Sequence, residues 1–96
     1  MADYWVYFLT NKPRGTLYIG MTNDLVRRVF EHREGLLKCF TTRHQLKMLV
    51  YLERYDTPTA AIQREKNIKH WSHAWKLELI EEANPQWGDL YNDITR

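Results

Sequence analysis

The sequence has one cysteine, Cys39, among 96 residues. An internal disulfide is therefore excluded, and a reducing cytosol fits the composition. A lone cysteine is more often a small buried hydrophobe than a nucleophile. No apolar run reaches the roughly 18 residues that a membrane span needs, so no membrane partner is expected. Met1-Ala2-Asp3-Tyr4 lacks the basic and apolar segments of a signal peptide, and a cytoplasmic protein is expected. There is no internal repeat, low-complexity segment or linker. One cysteine and the scattered His32, His44, His70 and His73 give no zinc-ligand framework of usual spacing. Net charge is only +2, too small to name a partner.

What is present is a globular composition: 44% hydrophobic, 27% charged and 14% aromatic, with four Trp and six Tyr. Large rings dominate core burial, though a tyrosine hydroxyl can also serve chemistry. A chain of this length reads as one domain, 1–96, with a core at about 4–80 and a C-terminal tail at 84–96. Charge is unevenly spread. Residues 1–50 hold eight Lys and Arg against four Asp and Glu, and residues 51–96 hold six against eight. Arg27, Arg28, Arg33, Lys38, Arg43 and Lys47 fall within one stretch. That stretch is a candidate phosphate-facing surface or an ordinary solvated face. The basic segment 36–45 offers backbone-phosphate contacts that would weaken with salt.

Tyr4 to Leu9 is an unbroken run of aromatic and branched residues, which predicts a central strand buried on both faces. Asn11-Lys12-Pro13-Arg14-Gly15 is a turn, and Thr16 to Gly20 a second strand, so the two form a hairpin. Thr22-Asn23-Asp24 can cap a helix carrying Leu25, Val26, Val29 and Phe30, with Gly35 ending it. Leu46 to Glu53 reads as a third strand. Asp56-Thr57-Pro58 opens a helix whose buried side is marked by Ala61, Ile62, Ile68 and Trp71. Ser72 opens a last helix to about Ala83, with Trp75, Leu77, Leu79 and Ile80 as core candidates. The tail, with Trp87, Leu90 and Tyr91, is expected on the surface. The order β-β-α-β-α-α predicts an α+β fold: a small three-stranded antiparallel sheet flanked by helices.

Two helical positions carry charge where the pattern asks for none. Glu65 falls between Ala61 and Ile68 on the apolar stripe. A carboxylate there is costly unless it pairs with a cation or binds a metal. Arg28 and His32 are spaced i, i+4 and share one face beside the Leu25/Val29 stripe. They are either a solvated flank or a guanidinium poised for a planar anion. Tyr7 and Tyr18, on adjacent strands, reach one sheet face. They are either cross-strand packers or hydroxyls able to position a water.

Trp5-Val6-Tyr7, then ten residues, then Tyr18-Ile19-Gly20 resembles the paired motif of the GIY-YIG nucleases. The helix with Leu25, Arg28 and His32 resembles that family's next motif, and Arg64-Glu65-Lys66-Asn67-Ile68-Lys69 its later, glutamate-bearing helix. The resemblance covers residues 4–80 and is closest to the family's small stand-alone proteins. It implies a metal-dependent endonuclease acting on nucleic acid, most readily DNA, in repair or processing. By position, Glu65 would hold one Mg²⁺ or Mn²⁺. Tyr18 would orient or deprotonate the attacking water with Tyr7 beside it, Arg28 would stabilise charge on the phosphate, and His32 would assist. Arg27, Arg33, Lys38, Arg43 and Lys47 would contact the nucleic acid. Gly20 fits a close backbone approach. Trp5 stands where the motif name has Gly, Met21 where the repair enzymes often carry Lys, and no Asn follows Glu65 where some members place one. No second DNA-binding domain is seen, which points to a protein partner that supplies target choice. The alternatives are a non-cleaving nucleic-acid-binding or adaptor module and, in another class, a structural zinc or protein-interaction domain.

Overall fold

A computed structural model describes residues 3–37 and 43–95. Lys38 and Cys39 lie outside the described residues. The sheet has three antiparallel strands: β1 (Tyr4–Thr10), β2 (Leu17–Thr22) and β3 (Met48–Tyr55), in the order β2-β1-β3. The helices are α1 (Leu25–Arg33), α2 (Pro58–Lys69) and α3 (His73–Ala83), followed by a single turn, α4 (Tyr91–Ile94). The architecture is the α+β arrangement the sequence predicts, with α4 added.

β1 is central, and from Val6 to Thr10 every residue is buried. Alternation sends its side chains to two different cores. Val6 and Phe8 join Ile19, Ala61, Ile68, Leu77, Ile80 and Trp87 beneath α2 and α3. Tyr7 and Leu9 join Leu25, Val29, Leu46 and Leu49 beneath α1, with Tyr91 and Ile94 of α4 at its border. Register is thereby fixed, because a one-residue slip would exchange the two cores. A bulge beside Phe8/Leu9 interrupts the β1–β3 ladder.

The helix ends follow local chemistry. The Asp24 side chain accepts from the Arg27 amide at 3.3 Å, Thr57 caps α2 with Pro58 as its first residue, and Ser72 caps α3. Gly35, at φ 68°, closes α1: its amide donates to the His32 carbonyl, and that of Leu36 to the Glu31 carbonyl. Only glycine enters that left-handed conformation cheaply.

Several expectations need correction. The third strand begins at Met48 rather than Leu46, because Leu46 plugs the α1-side core from outside the ladder. α1 buries Leu25, Val29 and His32, while Val26 and Phe30 stay exposed. Ile62 is exposed, and Trp75 is 60% exposed instead of lying in the core. Trp87 is in the core, not on the surface. Its indole Nε1 donates to Glu81 at 2.9 Å. The tail borders the β3 edge. The Leu90 amide donates to the Leu49 carbonyl at 2.7 Å and the Asn84 side chain to the Val50 carbonyl at 3.0 Å, which blunts an otherwise open strand edge.

Candidate active site

The β1–β2 register pairs Tyr7 with Gly20 and Leu9 with Tyr18. Paired residues share a face, so Tyr7, Tyr18 and Gly20 all lie on the α1 side. The Tyr7 and Tyr18 ring centroids are 6.2 Å apart. A Cβ built on Gly20 would sit 2.5 Å from the Tyr7 hydroxyl and 2.9 Å from the Tyr18 ring. Gly20, expected to permit a close backbone approach, instead makes room for a side chain: the Tyr7 ring lies across the strand there.

α1 delivers the next group. Leu25, Val29 and His32 form its buried stripe, and His32 is 1% exposed. Burying an unsatisfied ring nitrogen costs about 1–3 kcal/mol. A hydrogen bond between His32 Nε2 and the Tyr7 hydroxyl, 3.0 Å long, meets that demand. The His32 ring also lies 5.3 Å from that of Tyr18, so the three rings form a triangle. The sequence pattern sets His32 beside the apolar stripe; in the fold it completes that stripe.

Charge surrounds this triangle. Burial holds the Tyr7 phenol well above its ordinary pKa, and the neighbouring Tyr18 adds to that. Arg28 acts on the same hydroxyl in the opposite sense, and Glu65 raises it further. Burial, with Arg28 nearby, pushes the His32 pKa below its usual value, while Glu31 opposes the shift. At neutral pH Tyr7 is thus a phenol and His32 a neutral imidazole. The Glu31 carboxylate sits between two guanidinium groups, 3.4 Å from Arg28 Nε and 3.5 Å from Arg27 Nε. Arg28 also lines an open hollow of about 270 Å³ with Tyr4, Met21, Thr22 and Asn23.

Glu65 comes from α2, which packs against the other sheet face, mainly on β1 and β2. Its side chain is 19% exposed and carries Lys69 Nζ at 3.5 Å. The structure therefore brings Tyr7, Tyr18 and His32 into contact, with Arg28 and Glu65 in electrostatic reach of the same hydroxyl. Among the described residues no three His, Cys, Asp or Glu gather into a self-sufficient metal cage. One carboxylate oxygen donor is nevertheless the set a Mg²⁺-type ion uses when water and substrate phosphate complete its shell. The donor chemistry fits a hard divalent cation.

The expected nucleic-acid contacts divide. Arg27, Arg43 and Lys47 are exposed. Arg33 is spent on the chain itself. It meets Asp89 at 2.7 Å and the Lys47 carbonyl at 3.1 Å, and it stacks over Tyr91 at 4.4 Å. Sequence reasoning also passed over Glu53. Its carboxylate accepts from Arg64 at 2.9 and 3.0 Å and from the hydroxyls of Tyr51 and Tyr55. The spacing 53/64 gives no clue to that pairing until α2 packs on β3.

The tyrosines of the hairpin, the buried histidine, the arginine of α1 and the glutamate of α2 are the groups expected of a GIY-YIG catalytic domain. A family model of that description matches residues 3–78. The chain belongs to the GIY-YIG family, a superfamily of nucleases that generally depend on metal. Within it, the chain is similar to small UPF0213 proteins. It is 35% identical over 83 residues to one from Staphylococcus saprophyticus, covering 86% of this chain and 100% of that protein. It is 41% identical over 81 residues to one from Natronomonas pharaonis, covering 84% and 94%. The solution NMR structure of a UPF0213 protein from Bacillus halodurans matches with a TM-score of 0.57 at 25% identity, over 91% of this chain and 92% of that one. Among the described residues no helix is long and apolar enough to cross a membrane.

Proposed function

We propose that this chain is a metal-dependent endonuclease that hydrolyses phosphodiester bonds, with DNA as the expected substrate. One observation carries the reading: the Tyr7 hydroxyl is a point where a phenol, an imidazole, a guanidinium and a carboxylate all act. A packing tyrosine has no need of that company.

Glu65 would hold Mg²⁺ or Mn²⁺, and the ion when bound would neutralise charge on the phosphate. The chain's own groups do the rest. Tyr18, half-buried, orients the attacking water. As the water oxygen attacks phosphorus, its proton passes to the Tyr18 oxygen. The Tyr18 proton moves to Tyr7, and that of Tyr7 to Nε2 of neutral His32. Each phenol thus gives one proton and receives one, and His32 ends protonated. The raised pKa of Tyr7 suits this role, because a phenol that stays protonated can pass a proton on. Arg28 offers its guanidinium to the charge that builds on the phosphoryl oxygens as the P–O bond to the leaving sugar breaks, and the released sugar oxygen takes a proton from solvent water. Arg27, Arg43 and Lys47, with Lys38, would supply backbone-phosphate contacts.

The test is incubation of purified protein with single-stranded, duplex and branched DNA and with RNA, with Mg²⁺ or Mn²⁺, beside Glu65→Ala and Arg28→Ala. Metal-dependent cleavage should fall about 100-fold or more in each, the scale of removing one electrostatic stabiliser. Binding without cleavage, indifferent to Glu65, would replace this reading with a binding or adaptor module. A contaminating nuclease would cut equally in all preparations.

A further inference from the structure

The outer side of α3 carries a feature that folding does not explain. Trp71, Trp75, Glu78, Leu79 and Glu82 line an open hollow of about 330 Å³ on the outer side of α3. Trp75, Glu78, Leu79 and Glu82, three and four residues apart, share one stripe of α3, and Trp71 stands just before its Ser72 cap. Leu77 and Ile80 face the sheet instead. Trp75 is 60% exposed, and its ring meets that of Trp71 at 6.1 Å and 79°.

The electrostatics of this stripe break two local rules. Glu78 and Glu82 are like charges at i, i+4, which repel. Glu82 also lies in the last turn, where the helix dipole is negative and which holds no basic residue. Glu81 is neutralised by Arg14 at 2.7 Å, but among the described residues neither Glu78 nor Glu82 has an ion pair. Trp71 already accepts a guanidinium on its ring, that of Arg64 at 5.0 Å. Two indoles and two uncompensated carboxylates form a surface complementary to a cation and repellent to nucleic-acid phosphate. Rules broken without internal compensation are the mark of a functional surface.

We infer that this α3 hollow is a docking site for a cationic side chain, arginine or lysine, of a protein partner. The indoles take the cation over their π faces, and the carboxylates take its charge. The site lies on the α2/α3 side of the sheet, opposite the face that carries Tyr7, Tyr18 and His32.

The experiment is calorimetric titration of the whole chain, without metal or DNA, with a short peptide bearing two arginines four residues apart and no other charged side chain. Its citrulline counterpart, isosteric and uncharged, is the control. The arginine peptide should bind. Affinity should fall about ten-fold or more with citrulline, with Trp75→Ala and with the Glu78→Gln/Glu82→Gln pair. The glutamine pair should keep or raise the unfolding midpoint, since it removes a repulsion; a merely structural role for these carboxylates would lower it. Four outcomes would overturn the inference: no binding of the arginine peptide, equal binding of the citrulline peptide, loss of oligonucleotide binding on Trp75→Ala, or a homodimer that Trp75→Ala dissolves.

Discussion

A Cβ on Gly20 would stand 2.5 Å from the Tyr7 hydroxyl oxygen and 2.6 Å from the ring carbon that bears it. The Tyr7 ring cannot swing away, since it is 1% exposed and held at His32. Gly20→Ala must therefore move a ring out of a packed core. Overpacking of this kind costs about 1–3 kcal/mol. The Tyr7–His32 bond would be lost with it. Urea unfolding should show the destabilisation, and cleavage should fall at least as far as in Tyr7→Phe. Tyr7→Phe itself should retain the fold at a cost of about 1–3 kcal/mol, because it leaves the buried His32 Nε2 without that partner.

His32 gives stability a pH dependence with a definite sign. Its folded pKa lies below the ordinary 6.5, chiefly through burial. Between the folded pKa and 6.5 the unfolded chain binds more protons than the folded one. Stability is therefore complete above about 6.5 and declines as pH falls through that value toward the folded pKa. Denaturant unfolding between roughly pH 5 and 8 should show this slope. His32→Asn should be less stable at pH 8, yet flatter across the window. A slope that survives the substitution would assign the dependence to another group.

The fold was legible where burial alone shapes the sequence. The unbroken run Tyr4 to Leu9 marks a strand sandwiched between two cores, and Gly35 marks a helix end. It was less legible where a polar group is buried by a specific bond. His32 continues the stripe Leu25/Val29, but a histidine breaks an apolar pattern unless its partner is known, and that partner is 25 residues away. Trp75 shows the reverse error: an aromatic residue at helical spacing reads as core, and it is exposed. Of the candidate site, the residue types were visible in four short motifs. Their convergence was not, because it depends on Tyr7 standing opposite Gly20 and on α2 lying over β1 and β2.

The Glu53 network should fix α2, and with it the residue next to Arg64, Glu65. Burial pushes the Glu53 carboxyl upward, but hydrogen bonds from Arg64, Tyr51 and Tyr55 outweigh it and leave the pKa lowered. Stability from this carboxylate is present above about 4.5 and drains as pH falls below it. Glu53→Ala strands a guanidinium and two phenols without their acceptor, at a cost of about 2 kcal/mol. Glu53→Gln keeps some acceptors and should cost less. In a double-mutant cycle, Glu53→Ala and Arg64→Ala should be strongly non-additive. Additivity there would mean that the two side chains do not hold each other in solution.

The tail should come away from β3 before the rest of the protein unfolds, and Arg33 should control when. Asp89 ties two elements at once: one oxygen accepts from Arg33 at 2.7 Å and the other from the Leu49 amide at 3.2 Å. Arg33 adds its stack on Tyr91. Both partners of the ion pair are about one-third exposed, so solvent screens it and its own share is about 1 kcal/mol or less. The backbone bond from Leu90 to Leu49 and the burial of Trp87 must supply most of the docking energy. Arg33→Ala should therefore loosen the tail without releasing it. Hydrogen exchange at the Leu49 and Leu90 amides should quicken about ten-fold, with global stability reduced by about 1 kcal/mol. Asp89→Ala should do more, because it also strands the Leu49 amide at a sheet edge. If Arg33→Ala instead left both amides protected and weakened nucleic-acid binding, the guanidinium would belong to the phosphate surface, not to the tail.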